Sequence, residues 1–253
     1  MEKVTALAAP HHDPSGKLLK NQKEATTILK NIFDTVNVSV SHLTDKRVLD
    51  LFEDQGVHTT KRHEDGHVSA RYTSALKLSL EDTSDHILLI DFDRALHWAL
   101  HYEDELRTVV EDLRTSEGFT SYVRSSRAFE THPLTQRETE LIINQIASTT
   151  VGQQIDVVSG AYGLDRTTAE LIVEKAKRND FGFYGEILAI PFLAGLRINR
   201  FEVEGLEWET PDAYEHEINT MGYIQWLHNF ESLEEWEKRL TLAFEAGSAI
   251  QNN

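Results

Sequence analysis

Residues 86–94, His-Ile-Leu-Leu-Ile-Asp-Phe-Asp-Arg, constrain the fold of this chain more than any other stretch. Four consecutive aliphatic residues, 87–90, bounded by polar ones predict a central strand that is buried on both faces. Asp91 and Asp93 follow at its carboxyl end, where open α/β sheets bind ligands. Because two such carboxylates are costly to keep ionised together without a cation, the pair predicts a divalent metal site; capping of the strand end is the structural alternative.

The first ninety residues alternate between strand-like and helix-like patterns. Strands are predicted at residues 3–9, 36–41, 57–60 and 86–90, and helices at 21–33, 46–55 and 69–80. This order predicts right-handed βαβ units, and therefore an α/β fold with a mainly parallel central sheet flanked by helices. Later helices are predicted at 100–113, 136–148, 167–177 and 187–194, and later strands at 119–123 and 196–201.

The chain divides into two parts at Pro211. We assign residues 1–210 to the sheet domain and residues 211–253 to a helical C-terminal appendage. Aromatic and aliphatic residues recur at helical spacing in the appendage, which is typical of a surface packed on a core. A homo-oligomer contact is the other use of such a stripe.

Composition excludes several classes of function. The net charge of −17, with no obvious basic tract, argues against nucleic acid and against anionic membranes as partners. The absence of cysteine excludes disulfides, thiolate metal sites and cysteine nucleophiles, and it fits a reducing compartment. No apolar run approaches a membrane span or the core of a signal peptide, so we expect a cytoplasmic protein.

The two aspartates admit a phosphatase interpretation, which the surrounding sequence fits poorly. In haloacid-dehalogenase-like phosphatases the first Asp of a D-x-D motif is a nucleophile and the second a general acid. That motif usually lies near the start of the catalytic domain and continues into Thr or Val. Here Arg94 and Ala95 follow Asp93, and three βα units precede the motif.

The loop before the third helix carries a more specific resemblance. Residues 64–71, Glu-Asp-Gly-His-Val-Ser-Ala-Arg, lead an amphipathic helix and then the D-x-D strand. In that order they resemble the nucleotide-sugar-binding half of GT-A glycosyltransferases, most closely the family 2 type, where a loop N-x-G-x-S-x-A-R-N leads the helix. Gly66, Ala70 and Arg71 match, whereas Tyr72 stands where asparagine-like residues are commoner. The resemblance covers roughly residues 3–94 well and continues weakly to about 210.

The resemblance implies a set of donor-binding residues. Asp93 would be the direct ligand of a Mg²⁺ or Mn²⁺ ion, and Asp91 would face the ribose or a metal-bound water. Such an ion stabilises the charge that develops on a departing nucleoside diphosphate, and it is bound through few carboxylates. Further donor-binding positions implied by the family are Pro10, His11, Asp13, Asp45, Gly66 and Arg71. For Asp45 helix capping is the alternative, and for Arg71 a salt bridge at the helix start.

Two later segments also resemble the family. Gly160 and Arg166 match a G-x-x-x-x-x-R strand that lies beside the donor sugar, with close strand packing as the alternative reason for the glycine. Glu186 is the closest counterpart of the general base of inverting transfer, and Asp180 is second. The family's adjacent Glu-Asp pair is absent, as is the Q-x-x-R-W motif of polysaccharide synthases.

The resulting hypothesis is a metal-dependent glycosyltransferase that moves a sugar from a nucleotide-diphospho-sugar donor to a small acceptor. Three alternatives stay open. A nucleotidyltransferase would need a G-x-G-x-R loop after the first strand, which residues 10–17 lack. A D-x-D phosphatase would carry phosphate on Asp91. A non-catalytic nucleotide-sugar-binding protein would keep the fold and the metal without turnover.

Overall fold

The computed structural model describes residues 3–62 and 67–251, which form a layered α/β structure. Within these residues the strands are β1 (Thr5–His11), β2 (Thr35–Ser41), β3 (His58–Arg62), β4 (His86–Ile90), β5 (Phe119–Arg124), β6 (Ala161–Asp165) and β7 (Ile198–Val203). The α-helices are α1 (Leu19–Ile32), α2 (Lys46–Asp54), α3 (Val68–Glu81), α4 (Phe92–His101), α5 (Glu103–Leu113), α6 (Ser126–Glu130), α7 (Leu134–Val151), α8 (Arg166–Lys175), α9 (Phe183–Leu193), α10 (Glu215–Met221), α11 (Tyr223–Leu227) and α12 (Leu233–Gln251). Short 3-10 helices span Thr210–Tyr214 and His228–Phe230.

The seven strands form one sheet in the order β3-β2-β1-β4-β6-β5-β7. All neighbouring strands are parallel except at β6, which runs antiparallel to both β4 and β5. The carboxyl ends of the other six strands therefore meet at one edge of the sheet, and β6 starts there. The predicted α/β fold with a mainly parallel central sheet is confirmed.

Strand β4 is buried on both faces, as its run of aliphatic residues predicts. Leu88 and Ile90 pack into the core that includes helices α1, α4 and α5. Ile87 and Leu89 point to the opposite face and pack into the core that includes α3, α9 and α12. Each of these side chains is fully buried, which stabilises the fold by about 1.5–3 kcal/mol per residue.

The segment after β4 differs from the prediction. A helix is predicted at 100–113, whereas two helices fill residues 92–113 and meet at Tyr102, whose backbone is not helical (φ −139°, ψ 44°). The apolar positions Ala95, Leu96 and Trp98 of the first helix, α4, are all buried. The D-x-D motif therefore does not end in a loop: Asp91 is the N-cap of α4 and Asp93 lies in its first turn.

The last helix, α12, packs on helices α7 and α9. Ala246 and Ile250 of α12 belong to the same core as Leu89 of the central strand. Gly185 of α9 allows this close packing, since a Cβ there would lie 2.2 Å from the carbonyl oxygen of Ala246. Across the part of the chain that the structure describes, no helix has the length and apolar character needed to cross a membrane.

A buried ionic cluster lies at the end of β5. The guanidinium of Arg124, with a fully buried side chain, donates to Glu140 Oε2 at 2.6 Å and to both carboxylate oxygens of Asp156 at 2.7 and 2.8 Å. Arg124 Nη1 also lies 3.2 Å from Nε2 of His132. Burial, together with the charge of Arg124, lowers the pKa of His132 well below its usual value.

This shift predicts that His132 makes the fold sensitive to acid. Below pH 6.5, the ordinary pKa of histidine, His132 binds a proton in the unfolded chain but not in the folded chain. The free energy of unfolding then falls with decreasing pH, by up to about 1.4 kcal/mol per pH unit. We expect His132→Gln to remove this slope from urea unfolding measured between about pH 7 and 5. The exposed His216→Gln serves as the control and retains the wild-type slope.

Candidate active site

A cavity of about 300 Å³ opens at the carboxyl edge of the sheet, beside the ends of β1 and β4. It brings together five residues predicted from the sequence to bind the donor or its metal: Pro10, His11, Arg71, Asp91 and Asp93. The rest of the lining consists of His12, Leu18, Val68, Tyr72, Phe181 and Tyr184. The five predicted residues come from three separate segments, and they meet because β1 and β4 are parallel neighbours and α3 starts at the same edge.

Asp91 and Asp93 are held at this edge by the start of α4. The backbone N–H of Asp91 donates to the carbonyl oxygen of Gly160 at 3.3 Å, at the point where β6 begins. Asp93 Oδ1 accepts from the backbone N–H of Arg94 at 2.9 Å. The positive end of the helix dipole favours both carboxylates here.

A third carboxylate, that of Glu209, joins the two aspartates around Arg94. Arg94 Nε lies 3.9 Å from Asp91 Oδ2, and Arg94 Nη1 lies 3.8 Å from Glu209 Oε2. Arg94 Nη1 also donates to the carbonyl oxygen of Ser159 at 2.9 Å. Three carboxylates around one guanidinium leave two negative charges when all are ionised, which is the charge that one divalent cation would neutralise.

Lost hydration, together with the crowding of these acids, raises the pKa of two of them. Lost hydration raises the pKa of Asp93 to about 7, and the negative charges of Glu209 and Asp91 add to the effect, even though the side chain remains open to the cavity. Lost hydration also raises the pKa of Asp91, against the opposing influence of Arg94 and of a hydrogen bond from Tyr72.

The site fits a hard divalent cation. Its donors are carboxylate oxygens, the ligands that Mg²⁺ and Mn²⁺ prefer. Glu209 Oε2 is buried without a hydrogen-bond partner, so it has a lone pair to offer. Asp91 and Asp93 both line the cavity, and Asp93 is the more exposed of the two.

Two tyrosines form a hydroxyl chain beside Asp91. Tyr72 Oη donates to Asp91 Oδ1 at 2.7 Å and lies 2.5 Å from Tyr184 Oη. Because a tyrosine has one hydroxyl proton and Tyr72 gives it to Asp91, Tyr184 must be the donor to Tyr72. The tyrosine at position 72, where the resembling family tends to have asparagine-like residues, therefore holds the first aspartate of the motif.

Sequence reasoning missed Glu209, Phe181 and Tyr184. Glu209 reaches the cluster because β7 runs parallel to β4, through β5 and β6, and so ends at the same edge of the sheet. Its distance of 116 residues from Asp93 leaves no local pattern that could reveal it. Phe181 and Tyr184 precede or begin α9, and only their aromatic character hints at a ligand surface.

Asp13 and Asp45 do not line the cavity but support the loops beside it. The two carboxylate oxygens of Asp13 accept the backbone N–H groups of Lys17 and Leu18, at 2.9 and 3.1 Å. Asp45 is the N-cap of α2 and accepts the N–H of Arg47 at 2.8 Å. Side-chain and backbone hydrogen bonds from Arg47 lower the pKa of Asp45 to about 2. Helix capping, the alternative considered for Asp45, is what the structure displays.

The structure separates Gly160 from Arg166. Gly160 lies beside Asp91, whereas Arg166 follows the far end of β6, which runs antiparallel to β4 for five residues, or about 17 Å. Arg166 donates there to the carbonyl oxygens of Ser84 and Leu80 at the end of α3. The two residues therefore lie at opposite edges of the sheet. Gly66 falls outside the described residues.

Glu186, the first choice for the base, has structural partners. Its carboxylate is buried and accepts the backbone N–H groups of Lys177 (3.0 Å to each oxygen) and Arg178 (2.9 Å), which follow α8. Asp180 accepts from the guanidinium of Arg178 at 2.8 and 2.9 Å, and its side chain is 43% exposed. Neither carboxylate lines the cavity, although Phe181 beside Asp180 does.

The contacts of Glu186 predict a loss of stability on replacement. Glu186→Gln presents an amide group to backbone N–H donors, so we expect the free energy of unfolding to fall by about 1–3 kcal/mol. Asp180→Asn, at a half-exposed position, is the matched variant and should cost less than about 1 kcal/mol. Urea denaturation of the two variants measures both; equal stabilities would contradict the structural role of Glu186.

The sheet order, the strand-end aspartates and the cavity beside them define a GT-A-like fold, which confirms the fold that the resemblance implies. No protein-family model and no curated protein matches the chain. Among solved structures, glucosyl-3-phosphoglycerate synthase from Mycobacterium tuberculosis, in complex with Mg²⁺ and uridine diphosphate, is similar at a TM-score of 0.50 and 14% identity, over 80% of this chain and 70% of that one. CMP:2-keto-3-deoxy-manno-octonic acid synthetase, complexed with CTP, is similar at a TM-score of 0.50 and 13% identity, over 87% of this chain and 98% of that one.

Proposed function

We propose that this protein is a metal-dependent glycosyltransferase that takes a nucleotide-diphospho-sugar as donor and a small molecule as acceptor. The observation that carries the proposal is the cavity at the carboxyl edge of the sheet. Pro10, His11, Arg71, Asp91 and Asp93, each predicted from sequence to serve the donor, line that one cavity. The fold, shared with structures solved with UDP and Mg²⁺ or with CTP, supports the same assignment.

Different side chains of the cavity would bind different parts of the donor. Asp93 and Asp91, with Glu209 beside them, would hold Mg²⁺ or Mn²⁺, which when bound supplies positive charge for the departing diphosphate. Arg71 lines the same cavity and would add a second positive charge to the diphosphate. Phe181 and Tyr184 line the cavity and would contact a base or a sugar ring. Tyr72 keeps Asp91 oriented through its 2.7 Å hydrogen bond.

For the acceptor side we propose Asp180 ahead of Glu186 as the base. The Glu186 carboxylate is buried and accepts backbone N–H groups, whereas that of Asp180 is 43% exposed and adjoins Phe181 of the cavity. In this role Asp180 would accept the proton of the acceptor hydroxyl.

A second candidate, a non-catalytic nucleotide-sugar-binding protein, is favoured by one observation. Both carboxylates considered for the base have partners within the protein, and neither lines the cavity. Such a protein would bind the nucleotide as an enzyme does. Only turnover separates the two functions.

A thermal-shift screen tests nucleotide binding, which both candidate functions require. The protein is heated with UDP, GDP, CDP or ADP and with their sugars, each with and without Mn²⁺. We expect one nucleotide to raise the melting temperature only when Mn²⁺ is present, beyond the effect of Mn²⁺ alone, because the diphosphate and the acidic cluster need the cation between them. No response to any nucleotide would overturn the proposal. Release of free nucleoside diphosphate from the stabilising donor then distinguishes an enzyme from a binding protein.

A further inference from the structure

Helix α4 carries a second group of ligand-type side chains beyond the acidic cluster. His97 and His101 lie four residues apart on this helix, and Asp212 approaches them from the 3-10 helix Thr210–Tyr214. One ligand atom from each of the three residues lies within 4.8 Å of the other two. The proposal that follows does not depend on the transferase activity.

The distances within this group suit a shared ion. His97 Nδ1 lies 2.7 Å from Asp212 Oδ2, and His101 Nε2 lies 4.0 Å from the same oxygen. The two imidazole rings have centroids 4.5 Å apart. Two histidines at positions i and i+4 of a helix present their nitrogens on one face, which is how helical zinc motifs begin. The carboxylate supplies a third ligand from a separate element.

The nitrogen of His97 that faces away from this group is also engaged. His97 Nε2 lies 3.3 Å from Glu207 Oε1. Glu207 is held in turn by Arg127, whose Nη1 donates to Glu207 Oε2 at 2.5 Å. A histidine that binds a metal through one nitrogen usually donates the other N–H to a carboxylate, which fixes the tautomer and the ring orientation. The outer contacts that a metal-binding histidine needs are therefore present.

We propose that His97, His101 and Asp212 form a site for a borderline transition-metal ion such as Zn²⁺. Imidazole nitrogens select such ions over Mg²⁺, whereas the Asp91–Asp93 site offers only oxygen. Three protein ligands would leave one position for water. The ion would fasten the segment after β7 to α4, and that segment brings Glu209 to Arg94.

A metal-free explanation exists and can be separated from the proposal. A protonated His97 between Asp212 and Glu207 forms a pair of ion contacts without any metal. That explanation gives no role to His101, which is half exposed and 4.0 Å from Asp212. His101→Gln leaves both contacts of His97 in place, so it removes a metal ligand without disturbing the ion pairs.

Metal titration of the tag-free, chelator-treated full chain tests the proposal. Isothermal titration with Zn²⁺, and visible absorption with Co²⁺ as the substitute ion, are expected to reveal one ion per chain at the histidine site. His97→Gln and His101→Gln should abolish binding, and Glu207→Gln should weaken it by about 10–100-fold. Asp93→Asn should leave the Zn²⁺ affinity unchanged, because Asp93 belongs to the other site.

The matched control is His58, whose Nδ1 lies 2.7 Å from Asp82 Oδ2 and which belongs to no such three-residue group within residues 3–62 and 67–251. His58→Gln should retain the ion. The proposal is overturned if wild-type protein binds no Zn²⁺, if His101→Gln binds it as tightly as wild type, or if Asp93→Asn loses it. Circular dichroism and melting of each metal-free variant confirm that the fold is intact, and His101→Gln, at a half-exposed position, is the variant that keeps the test decisive.

Discussion

Replacing Arg124 with methionine is expected to lower the free energy of unfolding by about 3–5 kcal/mol. The change removes the guanidinium that neutralises Glu140 and Asp156, and both carboxylates stay buried at 4–5% side-chain exposure. Methionine has nearly the volume of arginine, so lost charge rather than lost volume dominates the result. Urea denaturation at neutral pH, followed by circular dichroism, measures the difference.

Arg127 provides the matched control three residues later. It also contacts two carboxylates, Glu204 at 2.6 Å and Glu207 at 2.5 Å, but its side chain is 51% exposed. Water replaces these contacts when they are lost, so Arg127→Met should cost no more than about 1 kcal/mol. If the two variants unfold at the same urea concentration, the buried Arg124 cluster does not contribute the predicted ~3–5 kcal/mol to the free energy of unfolding.

Asp93→Asn is expected to lower turnover by about 10²–10³-fold and to abolish nucleotide-dependent stabilisation by Mn²⁺. The amide is nearly isosteric, but it removes a negative charge from the group that we propose to hold the cation. The free energy of unfolding should not fall, because lost hydration and the charges of Glu209 and Asp91, which raise the pKa of Asp93 to about 7, disfavour its charged form. Initial rates of nucleoside diphosphate release and melting curves with nucleotide and Mn²⁺ measure both effects.

The control for Asp93 is Asp165, an aspartate that also stands between a strand and the start of a helix but lies at the opposite edge of the sheet. Asp165→Asn should leave turnover unchanged once the rate is corrected for the folded fraction. Equal losses of turnover in the two variants would point to the loss of a carboxylate at a helix start, rather than of a metal ligand, as the cause. Unaltered Mn²⁺ dependence in Asp93→Asn would remove Asp93 from the metal site.

The sequence best predicts the features that depend on residues close together in the chain. The aliphatic run at 87–90 identifies β4 because a strand buried on both faces needs apolar residues at every position. Asp91 and Asp93 were then expected at the ligand edge, and Pro10 and His11 reach the same cavity because parallel neighbours end at the same side.

Residues whose position depends on the order and direction of the strands escaped prediction. The spacing of Gly160 and Arg166 matches the family motif, but β6 is antiparallel to β4 and begins at the ligand edge. Arg166, six residues after Gly160, therefore lies at the far edge of the sheet. Glu209 enters through β7, the last strand of the sheet. Helix α4 was missed because the apolar run of β4 passes into it with only Asp91 between them.

The conformation of Gly160 has a consequence for related chains. Its φ of +75° already favours glycine, and a Cβ there would lie 2.9 Å from Nε of Arg94, so a larger residue would push the arginine out of the acidic cluster. In a chain without the arginine, the clash with a Cβ would be gone and only the positive φ would still favour glycine. Positions 94 and 160 should therefore covary across homologues: glycine wherever the arginine is kept, and a broader choice where it is replaced.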